Sequence, residues 1–310
     1  MSITRPIKAL AAGLLSSLVI ASAASAADFD FSPEQPGRPH VSADAKAVAA
    51  VPKDYKFVKP GTFTVAIAPF GPPIATYAMD AKTVIGADAD IASLAAESLG
   101  LKLEFVPVAW ADWPLGLSSG KYDAVISNVG VTEARKEKFD FSTYRLGLHG
   151  FYVRNDSKIA SIKEPKDIAG LKIITGSGTN QEKILLQWDK QNRAAGLAPI
   201  ELQYYDDQSA SQLALLSGRA DANFNPNGPL AYESAKQGKI HSVGTVNAGW
   251  PLKSDVGITT RKGSGLADAL TMAINDLIAS GKYAEVLKRW NLAEEALPQG
   301  ETNPPGLPKS

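Results

Sequence analysis

Lys172-Ile173-Ile174-Thr175-Gly176-Ser177-Gly178-Thr179-Asn180-Gln181-Glu182 reads as a strand, a glycine turn and the opening of a helix. The β-branched run Ile173-Ile174-Thr175 favours a pleated strand. Thr179 stands where a side-chain oxygen caps the first turn, with Glu182 three residues on, and the helix is predicted over Asn180–Asn192. Working outward, the same alternation recurs. A helix over Ser209–Leu216, ended by Ser217-Gly218, precedes a strand at Ala222–Phe224, and a strand at Gly150–Val153 lies upstream. Further strands are predicted at Phe63–Ala68, Leu103–Val108 and Ala124–Ser127, and a helix over Asp88–Leu99 closed by Gly100. Near the end, Gly265–Ser280 and Lys282–Trp290 read as helices parted by Gly281. Short strands alternating with helices argue an α/β layered fold.

The chain has 310 residues, too many for one small core and suited to about two domains. Its 32 basic and 32 acidic residues cancel, so nothing recommends nucleic acid as a partner. With no cysteine, structural disulfides, thiolate zinc sites and cysteine nucleophiles are excluded together. The three histidines, His40, His149 and His241, show no metal-ligand spacing, and neither a metal nor a cofactor is expected. His149, beside Gly150, reads as a packed or exposed side chain rather than a pH sensor.

Residues 1–26 carry Arg5 and Lys8, an apolar run from Ala9 to Ala21 and the small-residue ending Ala24-Ser25-Ala26. That pattern is a secretory signal peptide, cleaved after Ala26. The apolar run is short of the ~20 residues that span a bilayer. A soluble, exported product located in the periplasm is expected. Residues 27–60, with Pro33, Pro36, Pro39, Pro52 and Pro60 and little periodic hydrophobicity, read as an extended leader. The C-terminal tail, 293–310, is rich in proline beyond Pro298 and reads as unstructured.

Short motifs then follow in order. They are Gly61-Thr62-Phe63-Thr64-Val65, Ile85-Gly86-Ala87-Asp88-Ala89-Asp90, Gly120-Lys121-Tyr122-Asp123-Ala124, Val131-Thr132-Glu133-Ala134-Arg135 and Phe139-Asp140-Phe141-Ser142. Beyond them come Gly178-Thr179-Asn180-Gln181-Glu182, Ser217-Gly218-Arg219-Ala220-Asp221-Ala222 and Gly281-Lys282-Tyr283 leading to Lys288-Arg289-Trp290. Over about residues 61–292 this series resembles the extracellular solute-binding proteins of family 3, the periplasmic amino-acid receptors of ABC importers. The resemblance implies a two-lobed periplasmic binding protein fold (type II), two α/β lobes joined by two hinge strands. Lobe one would comprise 61–148 plus 254–292 and lobe two 149–253, with crossings near Leu148–Tyr152 and Ser254–Ile258.

The resemblance also implies a ligand site. On its own Arg135 reads as a surface cation in the charge run Glu133–Lys138. At the Thr-x-x-Arg position of the family it becomes the fork that holds a ligand carboxylate. Asn128 and Gly130 stand where relatives carry small hydroxyl residues; read structurally, they are turn residues suited to positive φ. Trp110 matches an aromatic platform, Phe70 would supply the opposite wall, and Trp113 reads as core packing. Thr179 and Asn180 would present a helix N-terminus to a carboxylate. Relatives that bind α-amino acids pair the ammonium with an aspartate at the position of Pro226. Here Glu182, Asp206 or Asp207 would have to substitute, or Asn225 and Asn227 would serve a neutral polar group. Trp290 would pack the last helix.

The function so implied is a monomeric periplasmic receptor that captures a small polar carboxylate, an amino acid or a derivative. It would deliver that ligand to an ABC transporter permease in the inner membrane, without catalysis. The alternative is an enzyme on the same scaffold, resembling the cyclohexadienyl dehydratases, with Glu182 as general acid.

Overall fold

A computed structural model describes residues 29–205 and 207–309. The expected signal peptide lies outside the described residues. Twelve strands are defined there: β1 Thr62–Ile67, β2 Thr76–Tyr77, β3 Val84–Ile85, β4 Lys102–Pro107, β5 Ala124–Val125, β6 Phe139–Arg145, β7 Leu148–Arg154, β8 Lys172–Thr175, β9 Glu201–Tyr204, β10 Ala222–Pro226, β11 Ile240–Asn247 and β12 Val256–Arg261. The helices are α1 Ala45–Ala50, α2 Ala87–Ser98, α3 Trp113–Ser118, α4 Glu133–Lys136, α5 Asn180–Ala194, α6 Gln208–Leu216, α7 Asn227–Gln237, α8 Leu266–Ala279 and α9 Lys282–Arg289.

Two five-stranded sheets divide the strands. The first has the order β4-β1-β5-β12-β6 and the second β11-β7-β10-β8-β9. In each sheet three neighbouring strands run parallel, β4-β1-β5 and β10-β8-β9, and the other two pair antiparallel. The chain leaves the first sheet after Arg145, enters the second at Leu148, and returns between Asn247 and Val256. Leu148–Tyr152, expected as a crossing, already belong to the ladder of β7, and Val256–Ile258 to β12.

Each sheet is covered on both faces, which makes both lobes layered α/β bodies. In the first lobe α2, α8 and α9 bury Ile91, Leu94, Leu270, Leu277, Val286 and Trp290 on one face. On the other, Trp113 and Leu117 of α3 meet Phe139 and Phe141. In the second lobe the helical spacing of Ile184, Leu185 and Trp188 on α5 seats one apolar stripe on Phe151 and Phe224. Those two rings stack at 3.9 Å across the β7–β10 ladder. Gly86 starts α2 at φ 129°, where a Cβ would lie 2.3 Å from the Ile74 carbonyl oxygen, so no side chain fits.

Both tails depart from expectation. The 29–60 stretch is not a surface leader: Phe29, Phe31, Val41, Tyr55 and Phe57 dock on the first core, and α1 buries Ala47 completely. Arg38 donates to Asp90 at 2.7 Å, and the Val41 N–H to Glu97 at 2.9 Å. The C-terminal stretch is likewise bound. Thr302 bridges to Ser142 and Leu307 to Thr132, Leu307 is buried, and Glu295 pairs with the buried Arg145. These segments dock by single anchors into grooves built from distant residues, which leaves no period in the sequence. Trp290 is structural as expected, its indole N–H donating to Asp90 at 2.8 Å.

Candidate functional site

Arg135 lies on α4, a single turn capped by Thr132, whose hydroxyl oxygen accepts the Arg135 backbone N–H at 3.0 Å. The turn aims the guanidinium at the seam between the lobes, over the rings of Trp110 and Trp113 at 5.5 and 5.8 Å. Nη1 donates to the Gly130 carbonyl at 2.9 Å and, across the seam, to Asn180 Oδ1 at 3.2 Å. Burial alone lowers its pKa to about 10, which leaves it a cation at neutral pH. Among the described residues no carboxylate pairs with Arg135. A cation walled by indoles and backbone, with no acid, is a site shaped for an anion.

Asn180 carries the contact from the second lobe. It is buried, and its Nδ2 donates to Ser254 Oγ at 2.9 Å, while Ser254 donates to the Val131 carbonyl at 2.6 Å. Gly130 is required for closeness rather than for positive φ: a Cβ there would sit 2.6 Å from Asn180 Nδ2 and 2.8 Å from Ser254 Oγ. Trp110, Gly130, Arg135 and Asn180 therefore converge at one point.

The other expected residues make the following contacts. Asn128 has φ 52°, but its side chain accepts from Arg145 and its N–H donates to Asp88, so it turns into the first lobe rather than toward the seam. There Arg145, Glu295 and Asp88 form a buried ionic cluster, which Tyr144 joins through a hydroxyl donated to Asp88 at 2.9 Å. Thr179 spends its hydroxyl locally, donating to the Gly176 carbonyl at 2.6 Å and capping the Glu182 N–H. Phe70 packs on the first core beside Gly71, whose backbone faces Gln208 of α6 across the seam. Asn225 lies at the end of β10, accepting from Gln181 Nε2 at 3.0 Å.

Of the acids considered for an ammonium, Glu182 accepts the Gly178 N–H at 2.6 Å and Asp207 caps α6 at the Ala210 N–H, 2.7 Å away. Asp206 lies outside the described residues. Ser254, Gln181 and Gln208 are seam residues that sequence reading missed. Gln181 lies inside the quoted loop and Ser254 opens the second expected crossing, but neither was read as a site residue, and Gln208 carries no local signal.

Two α/β lobes, joined by two chain crossings and meeting at Arg135, define a two-lobed binding protein of the type II architecture. Residues 63–293 match the bacterial extracellular solute-binding proteins, family 3, and the chain belongs to that family. The L-cystine-binding protein TcyJ of Escherichia coli (strain K12) is 29% identical over 235 residues, covering 74% of this chain and 82% of that protein. The L-arginine-binding protein of Pseudomonas aeruginosa is 26% identical over 213 residues, covering 66% of this chain and 78% of its own. A solved ancestral arginine-binding protein bound to arginine aligns with a TM-score of 0.64 at 29% identity, covering 74% of this chain and 98% of that one.

Proposed function

We propose that this protein captures a small polar carboxylate, an amino acid or amino-acid derivative, between its lobes and hands it to the permease of an ABC importer. The moving bodies would be 61–148 plus 254–292 and 149–253. It would act as a monomer in the periplasm, after removal of the signal peptide. The single observation that carries this reading is Arg135, a cation with no acid partner among the described residues, reaching across the seam to Asn180. A ligand carboxylate would take the guanidinium fork and add contacts to both lobes, so its differential affinity would favour closure. The names of the relatives, cystine- and arginine-binding proteins, agree with this class of ligand.

A binding role is preferred to catalysis because Glu182, the acid that an enzyme would need in this loop, braces the Gly178 N–H. The test begins with protein unfolded and refolded to strip carried-over ligand, screened by thermal shift against amino acids, their derivatives and plain carboxylates. Calorimetry then compares the best hit with the wild type and with Arg135→Ala. The substitution should cost at least about 2 kcal/mol of affinity. Unchanged affinity would remove Arg135 from the site.

A further inference from the structure

The second lobe meets the seam with a row of neutral amides. Gln181 Nε2 donates to Asn225 Oδ1 at 3.0 Å, Asn225 Nδ2 to Asn223 Oδ1 at 2.7 Å, and Asn223 Nδ2 to Ser211 Oγ at 3.3 Å. The row begins one residue from Asn180, at the start of α5 beyond the carboxyl end of β8, and runs back along β10 from Asn225 to Asn223 and on to Ser211 of α6; the carboxyl ends of parallel strands are where open α/β sheets take their ligands. Its two ends are fixed by contacts between the lobes. Asn180 meets Arg135 at one end; at the other, Gln208 faces Gly71, and Gly228 faces the ring of Pro73. Gln208, Ser211 and Asn223 also border a cavity of about 30 Å³ between α6, α7 and β10.

Among the described residues of this row none is ionised at neutral pH. The neighbouring acids are engaged: Glu182 by the Gly178 N–H, and Glu233 by the amides of Gln212 and Gln237 at 2.6 and 2.8 Å. The cations are Arg135 and Lys183, whose ammonium is held below the ordinary lysine range by burial and then by the Arg135 charge. A carboxylate placed on Arg135 is therefore matched, and an ammonium beside it would be taken from water to face amide oxygens and the Arg135 charge, while the nearest described acid, Glu182, is held by the Gly178 N–H. A neutral N–H, carbonyl or hydroxyl finds its complement there, because each carboxamide offers both a donor and an acceptor.

We infer that the site selects carboxylates whose neighbouring polar group is neutral, N-acylated amino acids or 2-hydroxy acids, over zwitterionic amino acids. This rests on the reading that Arg135 holds the carboxylate. The test is calorimetry on stripped protein with matched triplets: a free L-amino acid, its N-acetyl derivative and its 2-hydroxy analogue, for small, aliphatic, amide and cationic side chains. For the side chain that binds, the acylated or hydroxy form should bind at least tenfold tighter than the free amino acid. Asn225→Asp should move that ratio at least tenfold toward the free amino acid, with Gln181→Glu, its hydrogen-bond partner, as the second variant if the first fails to fold. Tighter binding of the free amino acid by the wild type would overturn the inference and leave the carboxylate reading standing. An unmoved ratio in a folded acidic variant would overturn it too. Silence from all three forms at every side chain would sink both.

Discussion

Mild acid should destabilise this protein through His149. The ring lies on β7, 5% exposed, between Pro226 and Val246 in the ladder, with its edge toward Phe224 at 5.6 Å. Among the described residues neither ring nitrogen has a hydrogen-bond partner. Burial lowers its pKa from 6.5 to about 3. The folded ring thus refuses a proton that the unfolded chain accepts near pH 6.5. Its contribution to stability is complete above pH 6.5 and is lost as the pH falls through the window down to about 3. Within that window the loss approaches ~1.4 kcal/mol per pH unit, and amounts to about 2 kcal/mol at pH 5. Urea unfolding of the wild type and of His149→Leu at pH 7, 6 and 5 isolates this share, because every other titrating group is common to both. The variant should gain about 2 kcal/mol on the wild type between pH 7 and pH 5. At pH 7 it should already be no less stable, since two unpaired buried nitrogens are removed. A difference between the two proteins that stays flat to within ~0.5 kcal/mol across this range would refute the reasoning, because the folded ring would then be taking up the proton.

Two further perturbations probe the packed tails. Glu295→Ala should cost about 3 kcal/mol by stranding Arg145, which is 2% exposed and would keep only Asp88, 3.8 Å away, as a carboxylate partner beside its hydrogen bond to Asn128. Calorimetry should register a fall in Tm of roughly 5–10 °C, and a loss below ~0.5 kcal/mol would mean that the tail does not neutralise this cluster. Phe29 stacks on Tyr232 of the second lobe at 5.2 Å and lies 5.1 Å from Trp290 of the first. Phe29→Ala should weaken the closed state and lower affinity for the best ligand by about 0.5–1.5 kcal/mol, and unchanged affinity would show that the arm does not couple the lobes.

Local order in this chain is written locally. The strand Lys172–Thr175, the cap at Thr179 and the helix from Asn180 follow from adjacent residues, because propensity and capping act over one or two turns. Arg135 was legible through its motif for a similar reason, since Thr132 caps the turn that aims it. Other elements were hidden by burial. β6, Phe-Asp-Phe-Ser-Thr-Tyr-Arg, is buried along its whole length, and β11 shifts register between Ser242 and Gly244, so the two-residue alternation fails in both. The docked tails left even less to read, since Asp90 gathers Arg38, Arg289 and Trp290 from 52, 199 and 200 residues away. The site divides in the same way. The residue types follow from short motifs, but that Arg135 faces Asn180 instead of an acid was settled by the meeting of the two lobes, and that Asn128 turns inward and that Gln181, Asn225, Asn223 and Ser211 form one row by the packing within each lobe. Partners 45 or 44 positions apart leave no trace in either one's neighbours, and only the packing of the whole chain chooses them.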